Sequence, residues 1–82
     1  MNLIATLSDI VRGIVQQDIE LLPDTPLLTV GIDSMGMVNL VAHCEDAFGF
    51  EFEPEDLVMS KLATVAHIAA LLADKYQIEV PA

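Results

Sequence analysis

Basic residues are what this sequence has least of. Arg12, Lys61 and Lys75 are its 3 cations, set against 13 Asp and Glu, for a formal net charge of −10. Between Arg12 and Lys61 there is no Lys or Arg at all. Such a field repels phosphate backbones and anionic lipid, so nucleic acid and anionic membrane are excluded as partners, while basic protein surfaces are steered into encounter. The same acidity also serves solubility. Cysteine is nearly missing too. Cys44 stands alone, so an internal disulfide is impossible and a reducing, cytoplasmic compartment is expected. No apolar run approaches the ~18 residues of a membrane-spanning helix, so no membrane insertion is expected. The opening Met1-Asn2-Leu3-Ile4-Ala5-Thr6 lacks a basic segment and soon meets Asp9, unlike a secretory signal.

What is present is apolar. Hydrophobic residues make up 54% of the 82 positions, enough for one domain, residues 1–82, with a modest core and too much for a disordered tail. Leu3, Leu7, Ile10 and Ile14 step by four, three and four along one face of a first helix, with Ile4, Val11 and Val15 beside them. Asn2 is its candidate N-cap, and Gly13, unfavourable in a helix by roughly 1 kcal/mol relative to Ala, marks a close contact. Residues 17–33 hold Pro23, Asp24, Thr25, Pro26 and Gly31, which break regular structure, yet Leu21, Leu22, Leu27, Leu28, Val30 and Ile32 among them are apolar. That combination predicts a packed crossover loop.

A second helix begins at Asp33 or Ser34 and ends at Gly49, with Val38, Val41, Cys44 and Phe48 along its apolar face. Phe50 to Glu53 form a short extended connector. Pro54, Glu55 and Asp56 suit the first turn of a brief third helix reaching about Met59. Thr64 caps a last helix carrying Val65, Ile68, Ala69, Leu72 and Tyr76, and Glu79, Pro81 and Ala82 form a tail. The sum is all-α: three long helices and one short, with a long first crossover, in a small four-helix bundle.

The segment richest in chemistry is Gly31-Ile32-Asp33-Ser34-Met35, at the junction of crossover and second helix. First-turn N–H groups have no intrahelical partner and the helix dipole adds partial positive charge, so a phosphate on the Ser34 hydroxyl would sit in a favourable field. The segment resembles the Gly-x-Asp-Ser-Leu or Gly-x-Asp-Ser-Met signature of acyl and peptidyl carrier proteins. Pro26-Leu27-Leu28, Val38-x-Leu40-Val41, Glu45-x-x-Phe48-Gly49 and Phe52-x-Pro54 fall in register with the same family, and the resemblance covers nearly the whole chain. It implies that Ser34 carries 4′-phosphopantetheine, that Asp33 is the acid preceding it, and that a phosphopantetheinyl transferase supplies the group from coenzyme A with magnesium. It further implies a carrier rather than an enzyme, whose cargo hangs as a thioester on the terminal thiol. Implied partners are a cargo-loading ligase or acyltransferase and downstream condensing or tailoring enzymes. A monomer is expected.

One departure stands out. Fatty-acid carriers place acids on the exposed face just after the serine, where this chain has Gly36 and Asn39. With Met35, these form a largely neutral docking face, while Met37 fills the interior. That favours a discrete carrier of an aminoacyl or short acyl group in a specialised pathway. A carrier of fatty-acid or lipid synthesis and an unmodified acidic helical adaptor stand as alternatives.

Other reactive side chains are set aside. His43 lies nine residues beyond Ser34, roughly 13 Å along a helix, against the ~3 Å a general base spans. Cys44 shares the apolar face and is read as an inert buried thiol. Glu51, Glu53, Glu55 and Asp56 do not match the spacing of a calcium loop and read as a solvated acidic turn. No metal site is expected.

Overall fold

A computed structural model describes residues 3–16, 19–58 and 60–78 of the chain. It holds three α-helices, α1 (Leu3–Val15), α2 (Ser34–Phe48) and α3 (Val65–Asp74), with single 3₁₀ turns at Leu27–Val30 and Pro54–Asp56. There is no strand among the described residues. Helix α1 packs against both α2 and α3. Asn2, Met59 and the tail from Glu79 lie outside the described residues.

The centre line of α1 falls on Leu7 and Val11, both fully buried, with Leu3, Ile10, Ile14 and Val15 packed around them. Val11, one of the flanking residues in the helical pattern, is therefore the central one. Ser8 is buried as well, and its hydroxyl donates to the Ile4 carbonyl at 2.8 Å, which satisfies it within the helix. Gly13 does not mark a close contact: a Cβ there would meet nothing within 4 Å. The Arg12 guanidinium donates through Nε to the Ile19 carbonyl at 2.9 Å and ties the end of α1 to the crossover.

The crossover is packed, as its leucines predict, but only by some of them. Leu21, Leu27 and Ile32 enter the core, whereas Leu22 and Leu28 point outward. Two backbone bonds dock it onto the start of α3: Leu27 N–H donates to the Ala63 carbonyl, and Ala66 N–H to the Pro23 carbonyl, each at 2.8 Å. Gly31 closes the first 3₁₀ turn at φ 101°, a backbone state that costs an L side chain ~1–2 kcal/mol.

Helix α2 starts and stops where its caps dictate. Asp33 is extended and its side chain accepts the Gly36 N–H; Gly49, at φ 68°, returns its N–H to the Glu45 carbonyl. The buried face is Gly36, Met37, Leu40 and Cys44, with Val41 and Phe48 half-buried at its edge. Val38 is not part of it and stands 65% exposed, so the apolar face is rotated from the expected Val38-Val41-Cys44-Phe48 line.

The short third helix is a correction. Only Pro54–Asp56 coil, as one 3₁₀ turn, and Leu57 leaves helical geometry at ψ 57°. The reason is a side chain drawn inward: Asp56, 1% exposed, is held by Lys61, Lys75 and Tyr76. Helix α3 begins at its Thr64 cap, which accepts the His67 N–H, and buries Val65, Ile68, Ala69 and Leu72. It ends at Asp74, so Tyr76 lies beyond it, packing its ring on Phe50 and Phe52 at 5.0 and 5.6 Å between centroids.

Candidate functional site

Ser34 is the first residue of α2, and it is exposed. Its position follows from local chemistry. The extended backbone of Asp33 turns the chain into the helix, and Asp33 Oδ1 accepts from Gly36 N–H at 2.9 Å while its carbonyl accepts from Met37 N–H at 2.8 Å. The cap thus fixes the first turn without using the serine hydroxyl, which is engaged with no described residue. The helix N-terminus at this point favours a negative group.

Nothing charged follows for nearly three turns, from Ser34 to Cys44. Met35 is 74% exposed, and Val38, Asn39, Ala42 and His43 share its outward side. Gly36 does not. It is buried, and a Cβ there would stand 3.5 Å from both Asp33 Oδ1 and Ile32 Cγ2. Of the three residues expected to form the neutral face, Met35 and Asn39 are on it, Gly36 lies beneath the cap, and Val38 takes its place. Helical spacing from Met35 to Val38 and Ala42 carries that signal, although Val38 also falls on the apolar line expected for the core. Met37 is buried, as read from the sequence.

The geometry brings no acid–base pair to Ser34. His43 is exposed on α2 with Nδ1 2.8 Å from the Asn39 carbonyl, and His67 sits on α3 with Nδ1 2.7 Å from Thr64 Oγ1. Cys44 is 1% exposed, and burial, with a lesser push from the Glu45 charge, drives its thiol up to about 12. That burial is what its place on the apolar face predicts. Among the described residues no group of three or more His, Cys, Asp or Glu is arranged to hold a metal ion. No described helix is long and apolar enough to cross a membrane.

The acidic turn differs from its solvated reading. Glu51, Glu53 and Glu55 are exposed, but Asp56 is buried, accepts from Lys61 Nζ (3.0 Å) and the Tyr76 hydroxyl (2.5 Å), and ion-pairs with Lys75 Nζ at 2.8 Å. Tyr76 also accepts Glu53 N–H at 2.8 Å. Lys75, then Tyr76, hold the Asp56 carboxyl well below the usual carboxylate range. Asp56 in turn, then Glu53, hold the Lys75 ammonium above the usual lysine range. Every lysine of the chain is spent here, away from Ser34 in sequence and on other elements.

Comparison with known proteins agrees with this geometry. The chain is similar to one in the crystal structure of a Bradyrhizobium japonicum glycine:[carrier protein] ligase complexed with glycylated carrier protein, at 26% identity and a TM-score of 0.68. The match covers 79% of this chain and 90% of that one, so the two are of similar length, as befits the carrier of that complex. No curated protein matches significantly. Residues 5–72 match the family described as phosphopantetheine attachment site, whose members carry 4′-phosphopantetheine covalently and are carriers rather than catalysts. With most of its length inside that match, an all-helical carrier-like fold and an open serine at the head of α2, the chain belongs to the phosphopantetheine attachment family.

Proposed function

We propose that this protein is a discrete carrier that holds an aminoacyl or short acyl group on 4′-phosphopantetheine attached to Ser34. The observation that carries the reading is the exposed Ser34 hydroxyl at the first position of α2, behind an Asp33 cap that leaves it free. The residues present fit the group. The hydroxyl oxygen is the attachment atom, Asp33 holds the turn, the helix N-terminus favours the phosphodiester charge, and buried Gly36 puts no side chain in the way. When bound, the group supplies a thiol on a flexible tether, which raises the local concentration of cargo at a docked enzyme.

The uncharged face of Met35, Val38 and Asn39 is the docking surface in this reading, with a phosphopantetheinyl transferase, a cargo-loading ligase and downstream condensing or tailoring enzymes as partners. The glycylated carrier in the similar structure supports an amino acid as cargo and a ligase as loader. The neutral face supports a specialised pathway over fatty-acid synthesis, whose enzymes meet acids on this helix. The protein acts as a monomer in the cytoplasm.

Intact mass decides the first step. Incubation with coenzyme A, magnesium and a broad-specificity transferase adds one phosphopantetheine to the native chain and none to Ser34→Ala. Addition to the Ala variant at Ser8 or Ser60 would overturn the assignment, and no addition to the native chain would leave an acidic helical adaptor. For the docking face, Val38→Glu slows loading by an aminoacyl ligase without unfolding α2. Equal loading rates would place docking elsewhere.

A further inference from the structure

The amines and the thiol of this chain share a property that the carrier reading does not use. We propose that the fold keeps its own lysines and cysteine inert toward acyl thioesters, so that a carried acyl group is not lost to the carrier itself. The inference rests on the reading of the chain as a thioester carrier, but its chemistry is separately measurable.

Two side reactions threaten an acyl thioester beside a protein surface. A neutral amine attacks the thioester carbonyl: a C–N bond forms, the C–S bond breaks, and the proton shed by nitrogen ends on the departing thiolate. The products are an amide and a free thiol. A thiolate attacks likewise, giving a new thioester on the attacking sulfur and releasing the original thiolate. Both need an available lone pair on an accessible atom.

Neither is available here. An ammonium has three N–H donors and no lone pair. Lys75 Nζ meets three separate carboxylates, Glu53 Oε2 at 3.0 Å, Glu55 Oε1 at 3.1 Å and Asp56 Oδ2 at 2.8 Å. Lys61 Nζ is 3.0 Å from Asp56 Oδ1, the other oxygen of the same carboxylate. That carboxylate is buried and charged, so losing a proton from Lys75 would strip it of a counter-ion. An ordinary lysine near pKa 10.4 is neutral in roughly 0.4% of molecules at pH 8, and each further unit upward lowers that tenfold. The Lys75 shift is upward, first through Asp56. Cys44 is shut away differently, 1% exposed on the core face of α2. With 2 lysines and 1 cysteine in the sequence, these are all the side-chain amines and thiols it has.

The test uses the full-length chain and a small free thioester, S-acetyl-N-acetylcysteamine, at pH 8. Peptide mass spectrometry reads thioester at Cys44 directly and, after hydroxylamine removes thioesters and esters, stable amide at each lysine separately from the N-terminal amine. Val38→Lys supplies the reference: position 38 is exposed, and Ser34, Met35, Val41 and Ala42, one turn away, carry no charge. Lys61 and Lys75, each ion-paired to Asp56, should acetylate more slowly than position 38, and Lys75, ringed by three carboxylates, by at least about tenfold. Asp56→Asn should raise the Lys75 rate about tenfold. Should that variant fail to fold, Glu53→Gln with Glu55→Gln, which alters exposed side chains only, should raise Lys75 alone. Rates at Lys61 and Lys75 equal to that at position 38 would overturn the proposal. Because the free thioester bypasses Ser34, failure of the carrier reading appears in the mass assay above and leaves these rates untouched.

Discussion

At the head of α2 the cap is closed within one turn. Asp33 takes the Gly36 and Met37 amides, and the next residues, from Ser34 to Cys44, carry no charge. Around Asp56 the opposite holds: three carboxylates, two ammonium groups and a phenol meet across segments separated by as many as 22 positions. The first region is local, open and neutral; the second is non-local, partly buried and crowded with charge. The contrast teaches that this acidic protein does not place its ion pairs at its site. They close the connection between α2 and α3, and leave the serine free to be modified and docked.

The largest expected effect separates the two regions outright. Ser34→Ala should abolish phosphopantetheine addition while leaving thermal unfolding nearly unchanged. Tyr76→Phe should do the reverse, accepting the group at the native rate and losing roughly 1–2 kcal/mol of stability with its hydrogen bond to a buried carboxylate. Mass spectrometry and urea unfolding on both variants read the two quantities. If Tyr76→Phe also lost modification, the regions would be coupled.

The second effect depends on pH. Asp56 is depressed in the fold relative to an unfolded aspartate near 3.9, so its contribution is complete above about pH 5 and is lost as pH falls through that value and below. Lys75 is raised, so its share is present below about pH 10.4 and is lost above it. Asp56→Asn should therefore have a lower urea midpoint than the native chain at pH 7, with the gap closing toward pH 3. A gap that stays constant across that range would mean the carboxylate charge is not what holds the turn.

At the open end the effects are smaller. Asp33→Ala removes the cap and should cost about 0.5–2 kcal/mol, seen in urea unfolding, with faster amide exchange in the first turn of α2. Smallest is Gly36→Ala. The added Cβ finds ordinary contact distances of 3.5 Å and up, and alanine is the better helix former, so a gain of up to ~1 kcal/mol is expected. Gly36→Asp is a different matter, because it would set a second carboxylate against Asp33 Oδ1. A stability loss in the alanine variant would show that the site under the cap is tighter than these distances indicate.

The places where residue pattern and structure part company sort along the same line. Caps and stops are legible in the chain: Asp33 and Thr64 accept N–H groups three residues on, and Gly49 donates its N–H to a carbonyl four residues back, so sequence neighbours determine them. Ser34 at the head of α2 follows from that alone, as does the buried thiol of Cys44 on an apolar stripe. Val38 was misplaced because two apolar stripes run along α2, through Met37 and Leu40 and through Val38 and Val41. Only packing against α1 decides which one turns inward. Gly36 was misplaced for the same rotation.

Asp56 shows the limit most plainly. In sequence it is one acid among four in a polar turn, and nothing near it announces burial. Its partners Lys61, Lys75 and Tyr76 arrive from 5, 19 and 20 positions away, and they draw the turn into a single 3₁₀ coil where a short helix was expected. Sequence by itself determined the three long helices, the caps of α2 and α3 and the exposed serine, since hydrogen bonds within one turn and apolar spacing are properties of adjacent residues. The tertiary structure alone decided which stripe of α2 meets solvent and where the lysines are held, because both depend on how distant segments pack.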